Sequence, residues 1–277
     1  MTKSQQTYPS DMNDTEWRVL EQYLPHSEPK GPGGAPRKHS WRAILNGLFY
    51  IKSNGCSWRA LPHDLPPWES VYGYFRKWRR DGTWEAINAA MVPDVRVAAG
   101  RDPRPSAAIL DSQSVKTSEG GTARGYDAGK KVAGRKRHLV VDTLGLIWMV
   151  VVTGANVQDV HGARSVLQAL FDRIKKSKYS RWCRLKLIWA DGSYRGQLIA
   201  TVKSDFGWVL EIVNKLAGQD GFKPVPHRWV VERTFGWLSR SRRLSRDFER
   251  LPETSEAFIY IAMIRLMTKR LARAQSS

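Results

Sequence analysis

The chain has 277 residues, with 45 Lys and Arg against 26 Asp and Glu, a formal net charge of +19. Hydrophobic residues make up 42% and there are twelve tryptophans, which excludes a wholly disordered basic tail and suits about two folded domains. An excess of cations this large is the electrostatic footprint of nucleic-acid binding; a ribosome-associated or membrane-surface protein is the plainer alternative.

Residues 1 to about 100 read as helical. Asn13 followed by Glu16 has the form of a capping box, and Trp17, Leu20 and Leu24 then recur at helical spacing. The segment HSEPKGPGGAPRKHS is a basic, Pro/Gly-rich loop without periodicity. Ser40 can cap a second helix with Trp41, Ile44, Leu45 and Leu48 on one face, stopped near Gly55. A third helix is expected from about Pro67 to Gly82. Val71, Phe75 and Trp78 form its apolar side, while Arg76, Lys77, Arg79 and Arg80 crowd its second half. Short helices ending in a basic one suggest a helix-turn-helix-like module that meets DNA. A solvated basic face that complements the helix dipole is the ordinary alternative.

From Ser106 the texture changes to alternating strands and helices. The run SAAILD reads as a buried strand delivering Asp111 at its carboxyl end. A Gly/Lys-rich loop follows, and then a hairpin of Lys136–Thr143 and Leu146–Thr153 turning at Leu144–Gly145. A helix over about Asp159–Lys175 leads to a second acid-tipped strand, RLKLIWAD, ending at Asp191. Next come a helix near Gln197–Lys203, a strand over Trp208–Val213 and an arginine-rich helix from about His227 that carries Glu232. The order β-β-β-α-β-α-β-α is the plan of a ribonuclease H-like fold: a mixed sheet flanked by helices over residues 101–277, behind a helical DNA-binding domain over 1–100. Three such carboxylates would hold hard, oxygen-seeking divalent cations. Two ions about 3.5–4 Å apart can activate an attacking oxygen and stabilise the leaving one in phosphodiester chemistry.

Other residues have plain readings beside the functional one. An aspartate after an apolar strand often caps the next turn, and a helix glutamate is usually solvated. Lys130, Lys131, Arg135, Lys136 and Arg137 form a charge run, either a solvated face or a DNA-backbone contact. His138 reads as a core histidine, and neither His161 nor His227 has metal-site spacing. Trp182, Trp189, Trp208, Trp229 and Trp237 are expected in the core rather than as base-stacking platforms. The amphipathic stretch Ala257–Leu271 is expected to pack in the core, with an oligomer interface as the alternative.

Compartment follows from what is missing. The start MTKSQQTYPSDMND has no apolar signal core, and stretches such as Leu146–Val152 fall far short of the roughly 20 residues that span a bilayer. Cys56 and Cys183 make no metal-spaced cluster and are expected as buried thiols of a reducing cytoplasm.

Several segments together resemble the bacterial DDE transposases of the insertion-sequence-five family. In the first domain these are SDMNDTEWRVLEQYLP and ILNGLFYIKSNGCSWRALPHDLPPWESVYGYFRKWRRDGTWE. In the second they are ILDSQSVKT, GRKRHLVVDTLGLIWMVVVTGANVQD, WADGSYRG and RWVVERTFGWLSRSRRLSRDFE. The resemblance implies that Asp111, Asp191 and Glu232 are the catalytic, metal-holding triad, separated by 80 and 41 residues. It implies two Mg²⁺ ions, with Mn²⁺ as a substitute, and double-stranded DNA as partner, both terminal inverted repeats and target. It also implies a homodimer or larger synaptic assembly working at the nucleoid. Arg228 takes the arginine position of the family's Tyr-Arg-Glu-Lys signature. The tyrosine position is Val225 and the lysine position Ser239, so Arg240 or Arg243 is the substitute cation for phosphate. A general ribonuclease H-like nuclease and a domesticated, non-catalytic DNA-binding protein remain the competing readings.

Overall fold

A computed structural model describes residues 8–25, 38–118, 121–176, 184–213 and 228–275. Most of the Pro/Gly-rich loop, and Trp182, Cys183, Val225 and His227, lie outside the described residues.

The amino-terminal part forms α1 (Asp14–Glu21), α2 (Trp41–Asn54), α3 (Trp68–Arg80) and α4 (Thr83–Ala98). Their ends follow from local chemistry. Asn13 and Glu16 close a reciprocal capping box on α1, satisfying two amides that have no partner within the helix. The Ser40 hydroxyl accepts from Ala43 N–H, and Gly55 ends α2 in the left-handed conformation that its missing Cβ permits. On α3, Val71, Phe75 and Trp78 are buried, while Arg76, Lys77 and Arg80 are exposed. Arg79 departs from the expected basic face: it is half-buried and donates to Thr254 Oγ1 at 3.0 Å.

The second part contains β1 (Ala107–Lys116), β2 (Gly125–Asp127), β3 (Val132–Asp142), β4 (Ile147–Gly154), α5 (Asp159–Lys176), β5 (Leu187–Ala190), α6 (Gln197–Phe206) and β6 (Val209–Ile212). Three helices follow: α7 (Arg228–Ser239), α8 (Arg242–Ser245) and α9 (Pro252–Ala274). The sheet runs β2-β3-β1-β5-β6, with β4 also paired to β3. β3 is antiparallel to β1 and β4, whereas β5 is parallel to β1 and β6 parallel to β5. This is the mixed, ribonuclease H-like sheet expected from the element order, with the short β2 added inside the Gly/Lys-rich loop.

Each face of the sheet has its own apolar core. Leu110, Val140 and Ile188 pack under α5 and α6. Ile109, Leu139 and Val141 join one continuous cluster with α7, α9 and the amino-terminal helices, so packing does not stop at residue 100. The middle of α9 is its axis. Phe258, Ile259, Tyr260, Ile261 and Met263 are all buried, so this helix is apolar nearly all round rather than amphipathic. Each such side chain contributes roughly 1.5–3 kcal/mol by leaving water.

The charge run on β3 corrects a sequence expectation. Only Lys130 and Lys131 are exposed; Arg135, Lys136 and Arg137 are buried. Side chains alternate across a strand, and both faces of this one are covered. Arg135 and Arg137 point to the side crossed by residues 244–250. Arg135 Nη1 contacts Asp247 Oδ1 at 3.1 Å and Glu249 O at 2.8 Å, and Nη2 donates to Arg250 O at 2.9 Å. Arg137 Nη1 donates to Leu244 O at 2.9 Å. These guanidiniums fasten a loop and are closed off from solvent. On the opposite side His138 is the core histidine expected, lying against Gly162 of α5, with Nε2 3.0 Å from Thr153 Oγ1. Burial lowers its pKa to about 4.

Candidate active site

β1 and β5 bring the first two acids together. Ile109 is in register with Trp189, and Asp111 and Asp191 each lie two residues past that pair. The ends differ, however. β5 stops before Asp191, whereas β1 continues to Lys116 because β3 stays paired to it as far as Gly134. Asp111 therefore sits mid-strand, where β1 outruns its parallel neighbour, and not at a strand terminus.

Asp191 takes the ordinary capping role as well as facing the site. Its Oδ1 accepts from Ser193 N–H at 2.9 Å and caps a 3-10 turn over Gly192–Tyr194. Its Oδ2 lies 3.4 Å from Arg228 Nη2. The same nitrogen lies 3.6 Å from Glu232 Oε1, one turn along α7. Val230 and Val231, between these two residues in sequence, are buried in the cluster that contains Ile109, which seats α7 over β1. Asp191, just past β5, and Glu232 on α7 thus meet at one guanidinium.

Asp111 shows the tension of the arrangement. Burial pushes its carboxyl up to about 6 and the Asp191 charge adds to the rise, against the Ser112 N–H bond, Arg228 and Lys130. Ser112 N–H donates to Asp111 Oδ1 at 2.7 Å. A further cation between two crowded carboxylates would relieve that repulsion. An all-carboxylate donor set suits a hard divalent ion such as Mg²⁺ or Mn²⁺. Among the described residues, no group of three His, Cys, Asp or Glu is drawn tightly enough to hold a metal ion. The positive charge between Asp191 and Glu232 is that of Arg228.

Beside Asp111 lies a network that the sequence did not reveal. Ser112 Oγ donates to Asp159 Oδ1 at 2.7 Å, and Ser114 Oγ to Asp127 Oδ2 at 2.6 Å. The buried Lys136 amine lies 3.3 Å from Asp127 and 3.1 Å from Asp159. Lys136 therefore ties β3 to its neighbours rather than contacting a DNA backbone. Arg243 is corrected in the same way: it is buried, and bonds Glu249 at 2.6 Å and Cys56 O at 2.8 Å. Arg240 is exposed. Trp229 leaves the core expected for it, at 43% exposure with the Arg233 guanidinium 4.4 Å over its ring, and Trp189 and Trp237 are half-buried; Trp208 is buried.

Residues 102–267 match the family described as "Transposase DDE domain". The chain belongs to that family. Residues 12–88 match a second, described as "Putative transposase of IS4/5 family", so the helical part and the sheet part of this DDE transposase each have a counterpart. A relative from Burkholderia cepacia, "Putative transposase for insertion sequence element IS402", is 31% identical over 144 residues, 52% of this chain and 67% of the relative. Another from that organism, "Insertion element IS402 uncharacterized 16.2 kDa protein", is 29% identical over 110 residues, 38% of this chain and 72% of the relative. No solved structure matches the chain. Among the described residues of this transposase, no helix is long and apolar enough to cross a membrane.

Proposed function

We propose that this DDE transposase binds the terminal inverted repeats of its own mobile element, cuts at their boundary and joins the freed end to target DNA. The observation that carries the reading is Arg228 lying between Asp191 and Glu232, with Asp111 and Asp191 each two residues past the Ile109–Trp189 pair.

Asp111, Asp191 and Glu232 are the residues that would hold divalent metal, Mg²⁺ or Mn²⁺. Bound there, the metal supplies activation of an attacking oxygen and charge stabilisation of a leaving one. The chain's own groups do the rest. Arg228 orients Asp191 and Glu232 and presents donors to a phosphate, which a guanidinium binds through a planar fork. The cap on Asp191 fixes its carboxylate in one rotamer. Water first hydrolyses the phosphodiester at the element boundary and leaves a 3′-hydroxyl. That hydroxyl then displaces a 3′-oxygen in target DNA, one phosphodiester replacing another, so no ATP and no covalent protein–DNA link are needed. The exposed side of α3, with Arg76, Lys77 and Arg80, and the exposed pair Lys130 and Lys131, provide phosphate contacts that position the duplex. Two ends joined in concert imply a dimer or larger assembly, active where the chromosome lies.

The test is cutting of labelled duplexes by Asp111→Asn and Glu232→Gln variants alongside a binding measurement. Lost cleavage with retained binding supports the reading, and cleavage at the wild-type rate overturns it. Equal cutting of unrelated duplexes would instead indicate a general nuclease. Binding without cutting, even by wild type, would indicate a non-catalytic DNA-binding protein.

A further inference from the structure

Beyond the acid trio, the far end of α7 opens onto a groove of about 460 Å³ between α2, α7 and α9. Lys52, Arg240, Arg265, Lys269, Arg270 and Arg273 line it, and no carboxylate does. Carboxylates behind the groove offset part of this charge: Arg265 Nη1 lies 2.8 Å from Glu16, which also acts on Lys269, and Asp142 acts on Arg270. Arg270 stacks over Trp237, its guanidinium carbon 4.5 Å from the ring centre. The lining is still a concentration of like charge in a concave, partly apolar surface. Its strain shows at Lys52, whose amine is lowered to about 8 by burial and by Arg265 and Lys269.

A second observation lies between the groove and the acids. Gly236 of α7 is exposed, and a Cβ built on it would meet nothing within 4 Å. Glycine weakens a helix relative to alanine, and no packing within the chain requires it here. Close approach of another molecule's backbone is what an open glycine allows. From Glu232 past Gly236 to Arg240 the chain rises about 12 Å, the length of roughly three to four duplex steps at 3.4 Å each.

We infer that this groove seats the phosphodiester backbone of the bound duplex, with the strand running along α7 over Gly236, three to four nucleotides from the bond at the acid trio. This rests on the functional reading above for which end of α7 is reactive. DNA is favoured over a small polyphosphate because six cations and no carboxylate line the groove, more charge than one small anion needs, and it opens at the end of the helix that carries Glu232.

The experiment is binding of a short duplex of arbitrary sequence over a range of salt concentrations, without divalent metal. Wild type is compared with a Lys52→Gln/Lys269→Gln/Arg273→Gln variant. Each lost phosphate contact removes about 0.9 from the slope of log K against log salt, so the slope should flatten by roughly two to three. An unchanged slope overturns the inference. Loss of inorganic pyrophosphate binding with the duplex slope intact would also overturn it, in favour of a small-anion site. A measurement on the unmodified chain guards against misfolding: duplex DNA should shield Lys52 and Lys269 from amine acetylation and leave Lys203, on α6 across the sheet, as reactive as before. Equal labelling of Lys52 with and without DNA contradicts the proposal. No cleavage is read, so failure of the catalytic assignment leaves this test decisive for the groove.

Discussion

Arg228 reaches from α7 to the neighbouring strand end, its Nη2 3.4 Å from Asp191 Oδ2, while staying within 3.6 Å of Glu232 on its own helix. All three side chains keep contact with solvent, so the pairs are screened and contribute little to stability. Arg228→Ala should therefore move the unfolding free energy by less than about 1 kcal/mol. Strand cleavage should nevertheless fall by a factor of 10 or more, the equivalent of about 1.4 kcal/mol or more. Lysine at this position should rescue poorly, because a point charge does not reproduce the planar fork. Melting curves and cleavage rates on the same preparations separate the two effects.

A second arginine-to-aspartate contact behaves oppositely. Arg135 and Asp247 are both fully buried, 3.1 Å apart. Removing one partner of a buried pair leaves the other uncompensated, so Arg135→Ala should destabilise the fold by about 3–5 kcal/mol. Lys131→Ala, on an exposed turn, should stay within about 0.5 kcal/mol of wild type. Urea unfolding of both variants checks this contrast.

These two arginines show what was legible in the sequence and what was not. Helix starts and stops at Asn13, Ser40 and Gly55 were readable because caps act over a few residues. The acid-bearing strands were readable from their apolar runs. Arg135 and Arg137 were misjudged because the carbonyls that bury them come from residues 244–250, more than 100 positions away. Asp111 was misplaced at a strand end for a similar reason: its polar continuation, Ser112 to Lys116, is held in β1 by pairing with β3. The groove beyond α7 was invisible because Lys52 and Lys269 meet only through tertiary packing.

Gly162 of α5 lies directly on the His138 ring, and a Cβ there would sit 2.0 Å from Cε1. Gly162→Ala must therefore push α5 off β3, which should cost about 1–3 kcal/mol through overpacking. Calorimetry would show a lower melting temperature. A melting point equal to wild type would mean that the ring has room to turn.

Glu256 is a half-buried acid whose carboxyl is pushed up to about 7, chiefly by desolvation, with Glu253 and Glu85 adding repulsion and the Val152 N–H bond opposing. Its folded pKa is raised, so its relative stabilisation is present below about pH 4.5 and lost as pH rises through about 7. Glu256→Gln keeps an oxygen for Val152 N–H, which now donates at 2.8 Å, and cannot ionise. The variant should match wild type near pH 4 and exceed it by up to about 3 kcal/mol at pH 8. Denaturant midpoints at the two pH values give the answer, and a pH-independent difference would contradict it.

Asp111, Asp191 and Glu232 are proposed to form one phosphodiester-cleaving site. The most direct measurement is cleavage of labelled duplexes carrying the element's flanking repeats, with Mg²⁺, by wild type and by Asp191→Asn. Metal-dependent nicking at the repeat boundary by wild type, absent in the variant while repeat binding persists, is the predicted result. Cleavage by Asp191→Asn at the wild-type rate would contradict the account.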